Sequence, residues 1–171
     1  YYEDLSKMEV DRERYELLID FLVPIIKSYP AEMGILSTSA AVQIHGGYGF
    51  CGDFPVEQYY RDIRIDTLHE GTTCMQGQDI LGRKVTMKQG QAFKYFQEEI
   101  SRTITQAKAS EEVADLAEAL QKSLQDLLQV TARLMEFAML GKMDEFLADS
   151  VLYLEMISII AIAWQWLKQA L

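Results

Sequence analysis

Proline is almost missing from this chain, and glycine is almost missing from half of it. All three Pro and nine of the ten Gly fall in residues 1–90, with Gly141 the exception. Residues 91–171 therefore hold almost nothing that interrupts a helix. Only Cys51 and Cys74 occur, so neither a disulfide framework nor a CxxC zinc site can be built. His45 and His69 have no second His or Cys at ligand spacing, which makes them packing or surface residues rather than metal ligands. Basic residues number 16 against 26 acidic ones, and the net charge of −10 is shared equally between 1–90 and 91–171. No basic stripe is left for a phosphate backbone or an anionic lipid surface, which argues against nucleic-acid and membrane-surface partners.

Long hydrophobic runs are scarce as well. The longest, 157–164, contains Ser158 and follows Glu155, and is too short to span a bilayer. No signal-peptide pattern opens the sequence. It starts at Tyr1, has its first Met at position 8, and stops in mid-pattern after Trp164-Gln-Trp-Leu-Lys-Gln-Ala-Leu171. The expectation is a cytoplasmic chain cut at both ends. What is present is apolar enough to fold: 49% of the residues are hydrophobic.

The periodicity is helical throughout, with no strand signal and no internal repeat. Leu17, Leu18, Phe21, Leu22, Ile25 and Ile26 share a helical spacing, after which Pro24 should break, kink or begin a helix. Pro30 suits the first turn of a second helix, which Gly46-Gly47 would end. A short helix over 56–65 carries Glu57/Arg61 one turn apart, and Arg61/Asp62 and Arg64/Asp66 can pair to orient the loops. Thr72 or Thr73 can cap a helix that runs to Gly82. Beyond Gln91, Phe93, Phe96, Ile100 and Ile104 mark one helix. Ser110-Glu-Glu112 reads as a capped start, followed by a stripe of Val113, Leu116, Leu120, Leu124, Leu127, Leu128, Leu134 and Ala138. A final helix over 145–171 is apolar on more than one face, and Trp164 and Trp166 lie on nearly opposite sides of it.

Two stretches carry chemistry. Gln43-Ile-His-Gly-Gly-Tyr-Gly-Phe50 exposes backbone N–H groups to close approach, but its GGxG spacing is not a dinucleotide fingerprint. Fold physics alone reads it as a helix C-cap and turn. In Leu68-His-Glu-Gly-Thr-Thr-Cys-Met75, Glu70 sits on a glycine-loosened turn near a helix start. It is either a base able to swing toward a substrate or a charge favoured by the helix N-terminus. Tyr59-Tyr-Arg-Asp-Ile-Arg64 mixes aromatic and basic residues as single-strand binders do, but the overall charge argues against that use.

Together these pieces resemble the acyl-CoA dehydrogenase family. The resemblance rests on Ala41-Val-Gln-Ile-His-Gly-Gly-Tyr-Gly-Phe50, Phe54-Pro-Val-Glu-Gln-Tyr-Tyr-Arg-Asp-Ile-Arg-Ile65, Glu70-Gly-Thr-Thr73 and Asp79-Ile-Leu-Gly-Arg-Lys-Val85, in the family's order. The tail is most similar to the subgroup with an extra C-terminal helical domain, the 3-methylmercaptopropionyl-CoA dehydrogenase type. The implied fold is all-α: residues 1–90 as a truncated part of the family's C-terminal helical bundle, and residues 91–171 as a small antiparallel accessory bundle. The implied activity is FAD-dependent oxidation of an acyl-CoA thioester to its trans-2-enoyl-CoA. By resemblance Glu70 is the base that removes the α-proton, and its backbone N–H helps polarise the thioester carbonyl. Gly71 touches substrate, Thr72 touches the flavin, and Gln43, Gly46 and Gly47 contact the ADP half of FAD, typically across a subunit interface. His69 stands where the family commonly has Tyr, and Cys74 where many members have Gln, Asn or Gly.

The resemblance also implies an electron-transfer acceptor and a homo-oligomer. Because the family's middle β-domain supplies much of the flavin and substrate site, the 171 residues by themselves are expected to be inactive and free of FAD. The alternative expectation is a helical oligomerisation module that keeps the family sequence without catalysis.

Overall fold

The computed structural model describes residues 11–69 and 71–171, and among these every regular element is a helix. They are α1 (Arg12–His45), α2 (Val56–Ile63), α3 (Asp66–His69), α4 (Thr73–Asp79), α5 (Met87–Ala107), α6 (Ala114–Met139), α7 (Met143–Leu147) and α8 (Ser150–Gln169). A tight 3-10 turn, Gly46–Phe50, follows α1, and a wide turn of π type, Ile80–Lys84, continues α4.

α1 is one helix of 34 residues with Pro24 and Pro30 inside it, so neither proline divides it as the sequence suggested. Each proline removes one i→i−4 hydrogen bond, and packing offsets the loss. Leu18, Phe21, Pro24, Ile25, Ser28 and Ala31 recur every three or four residues and are buried on one side. Phe21 packs against Phe93 and Phe96 of α5, with ring centroids 5.7 and 5.1 Å away. Phe96 meets Trp164 of α8 edge to face at 5.9 Å. The buried indole N–H of Trp164 donates to Thr103 Oγ1 at 2.9 Å, which meets its polar need inside the core.

Gly82 does not end α4. The helix widens into the π turn, which buries Ile80, Leu81 and Lys84 together. The Lys84 ammonium is bonded to Asp20 of α1, whose carboxylate is half exposed. The break comes later, where Lys88, Gln89 and Gly90 all have positive φ before α5 settles into regular helix. Ser110 is not the cap of α6 either. Residues 111–113 form a turn, α6 starts at Ala114, and Val113 is drawn into the core. Within the α6 stripe Leu120, Leu124 and Leu127 are buried, but Leu116 is exposed at the edge of an open recess that it lines with Ile159 and Trp166 of α8.

The last helical region is divided in two, α7 and α8, with a turn at 148–149. Taken together, Met143–Gln169 is long and apolar enough to cross a membrane by length and composition, which the short run at 157–164 did not suggest. Its apolar side is used inside the protein: Tyr153, Leu154, Ile157, Ile160, Trp164 and Leu167 are buried against α1, α5 and α6. Tyr153 accepts or donates a 2.9 Å hydrogen bond with Thr131 of α6. Burial pushes its phenol up to about 12, and the Thr131 bond offsets part of that rise. One apolar cluster runs from Leu18 and Phe21 through Leu81 and Phe96 to Leu127 and Trp164.

Candidate functional site

Gly46 closes α1 at φ 60, a left-handed conformation that costs glycine nothing, and its N–H returns to the Gln43 carbonyl. A Cβ added at Gly46 or Gly47 would meet nothing within 4 Å, so both backbones lie open to an incoming group. His45 Nδ1 donates to the Ala41 carbonyl at 2.9 Å, and its ring lies beside Phe54. This makes it a local capping residue. Ile44 and Phe50 are 84% and 87% exposed around the glycines.

The second cluster sits beside the middle of α1. Arg64 donates to Thr67 Oγ1 rather than pairing with Asp66, and Arg61 pairs with Glu57 at 3.4 Å rather than with Asp62. Both partners lie one helical turn away, where side chains on one face can meet. α3 then leads to Glu70, which lies outside the described residues. Gly71 has φ 97, a conformation that selects glycine, and the only close neighbour a Cβ there would meet is the end of the flexible Gln76 side chain, at 2.9 Å. Thr72 is the N-cap of α4, its Oγ1 accepting from the Met75 N–H at 3.4 Å, as the sequence suggested. The Thr73 hydroxyl donates to Glu32 of α1.

Two recesses flank this turn. One, of about 330 Å³, is lined by Lys27, Pro30, Asp66 and His69. The other, of about 350 Å³, lies between α1 and α8 and is lined by Glu32, Leu36, Thr73, Val151 and Leu154. The structure thus groups Gly71 and Thr72 at one place and Gln43, Gly46 and Gly47 at another. Thirteen residues of α1 separate Glu32 from Gly46, about 20 Å of helix, so the two groups do not touch. Sequence reasoning missed Glu32, because its partner lies 41 residues away and no local pattern marks it.

The sequence comparisons bear on both clusters. Residues 5–85 match the family model described as acyl-CoA dehydrogenase, C-terminal domain. Residues 96–171 match the one described as acetyl-CoA dehydrogenase C-terminal like. The chain belongs to the acyl-CoA dehydrogenase family. Among its relatives, a butyryl-CoA dehydrogenase of Syntrophomonas wolfei is 39% identical over 120 residues, 68% of this chain and 20% of that protein. A 3-methylmercaptopropionyl-CoA dehydrogenase of Ruegeria pomeroyi is 42% identical over 95 residues, 56% of this chain and 16% of that protein. A broad-specificity linear acyl-CoA dehydrogenase of Mycobacterium tuberculosis is 30% identical over 156 residues, 88% of this chain and 26% of that protein. The match therefore spans about a fifth of the length of these family members. The C-terminal-domain match contains Gln43, Gly46, Gly47, Glu70, Gly71 and Thr72.

Proposed function

We propose that this chain is the base-bearing C-terminal part of an FAD-dependent acyl-CoA dehydrogenase that oxidises an acyl-CoA thioester to its trans-2-enoyl-CoA. The observation that carries the reading is the coincidence of two left-handed glycine turns, at Gly46 and Gly71, with family sequence in the family's order. Glu70 takes the α-proton onto a carboxylate oxygen, and its backbone N–H polarises the thioester carbonyl as negative charge develops. Gly71, with no side chain of its own, lets the thioester approach the backbone beside Glu70. FAD, when bound, supplies the two-electron acceptor for the hydride from the β-carbon. The open backbone at Gly46 and Gly47 fits close approach by its pyrophosphate, with Gln43 beside it, and Thr72 reaches toward the flavin ring.

The 20 Å between the two groups favours a homo-oligomer in which Gln43, Gly46 and Gly47 serve the flavin of a neighbouring subunit. Exposed Ile44 and Phe50 supply the contact surface for that neighbour. An electron-transfer acceptor then reoxidises the flavin. The 171 residues by themselves bind no FAD and do not turn over in this reading. A yellow, stoichiometric complex of the isolated chain with FAD would contradict that part.

The test uses the full-length parent. Acyl-CoA bleaches its flavin absorbance, and Glu70→Gln abolishes bleaching while leaving flavin bound. Undiminished turnover by Glu70→Gln would remove the base assignment, whereas a wild-type parent that neither binds flavin nor turns over acyl-CoA would favour the second reading, a helical assembly module without catalysis. The observation on its side is the exposed apolar surface at Ile44, Phe50 and Trp166.

A further inference from the structure

We propose that Glu32 is a positioning residue that fixes the Gly71–Thr73 turn against α1. Its role in turnover rests on the reading of Glu70 given above; its structural role does not. The contacts inside the turn are local. Thr72 Oγ1 accepts from Met75, the Gln76 N–H donates to the Thr72 carbonyl at 3.0 Å, and Gly71 lies against the Gln76 side chain. These bonds shape the turn, but they travel with it and cannot locate it. The far end of α4 is located by packing: Gly77 lies against the backbone of Ser150, and Ile80 and Leu81 are buried.

The near end is tied to another element by the Thr73 hydroxyl bonded to Glu32. Both residues are half-buried and line the groove with Leu36 and Leu154, so the bond joins α1 to the start of α4 across that recess. Among the described residues Glu32 forms no ion pair, so no cation pulls its carboxylate elsewhere. Because α1 passes through Pro30 unbroken, Glu32 is carried on a helix whose first half is locked into the core. A turn that presents a base must be held to a fraction of an ångström. Glu32 supplies the tie from core to turn.

Hydrogen exchange on the 171-residue chain tests the structural claim. Glu32→Ala should speed exchange of the Met75 and Gln76 amides about tenfold or more while leaving Phe96 and Ile100 of α5 unchanged. Glu32→Gln, which keeps the acceptor oxygen, should restore most of the protection. No change, or an equal rise in every element, overturns the proposal. In the full-length parent Glu32→Ala should lower kcat by tenfold to about a hundredfold with KM within about twofold, and Glu32→Gln should recover most of that loss without moving the pH profile. A wild-type kcat for Glu32→Ala, or a shifted pH profile for Glu32→Gln, overturns positioning. Glu70→Gln in the same assay separates the outcomes. Turnover that survives it sinks the Glu70 reading, whereas turnover lost there but kept in Glu32→Ala sinks only the Glu32 proposal.

Discussion

Gly77 stands where α4 crosses α8, and a Cβ there would lie 2.8 Å from the Ser150 carbonyl oxygen and 2.9 Å from its carbon. Alanine is the better helix former by about 1 kcal/mol, but a clash with backbone cannot be relieved by turning a side chain. Gly77→Ala should therefore destabilise the chain by about 1–2 kcal/mol, read as a lower urea midpoint. Tyr153 gives a pH signature. Its phenol is held up to about 12 by burial, against an ordinary value of 10.0, so folding favours the protonated form. That contribution is complete below pH 10 and is lost as pH rises from 10 through 12. Wild type should lose up to about 2 kcal/mol more across that window than Tyr153→Phe, in urea titrations at fixed pH values. At this scale Gly46 and Gly71 were legible, because positive φ at a helix end or turn selects glycine locally. Gly77, Glu32 and Tyr153 were not, because their partners lie 73, 41 and 22 residues away.

Among the elements, α1 shows packing overriding propensity. Two prolines predicted two helices, and one apolar seam from Leu18 to Ala31 made a single one. Pro30 is exposed and adds little to that seam. Pro30→Ala returns an N–H to the Ile26 carbonyl and removes a residue roughly 3 kcal/mol worse than Ala inside a helix. The unfolded chain regains some freedom, which offsets about 0.4–1 kcal/mol. The variant should be more stable by about 1 kcal/mol or more, seen as a higher midpoint of thermal unfolding by circular dichroism. Helix identity was readable from spacing nearly everywhere. Helix ends were less so: Ser110 looks like a cap, but the chain turns once more to seat Val113 in the core.

For the molecule as a whole, the shared core decides what can be separated. Leu18, Phe21, Ile25, Ile80 and Leu81 belong to the same cluster as Phe96, Leu127 and Trp164. Residues 1–90 produced alone would expose the first set to water, at roughly 1.5–3 kcal/mol for each large side chain. Such a fragment should show no cooperative unfolding transition and poorly dispersed amide signals by NMR. A sharp transition would mean that the first half has a sufficient core of its own. The two tryptophans offer a simpler check on the packing. Trp164 is buried and Trp166 is 71% exposed, so acrylamide should quench Trp164→Phe more strongly than Trp166→Phe.

The amino-acid order alone determined the all-helical class, the place of the glycine turns and the family. Each depends on neighbours within about ten residues or on a contiguous motif. Only the tertiary structure decided that α1 runs unbroken, that Met143–Gln169 turns its apolar side into a core, and that Glu32 reaches Thr73. Those outcomes depend on which distant surfaces meet, and burial against a partner outweighs the local preferences that a sequence displays. The scarcity of glycine and proline after residue 90 let the last helices form, and the core they share with α1 gives those helices their position.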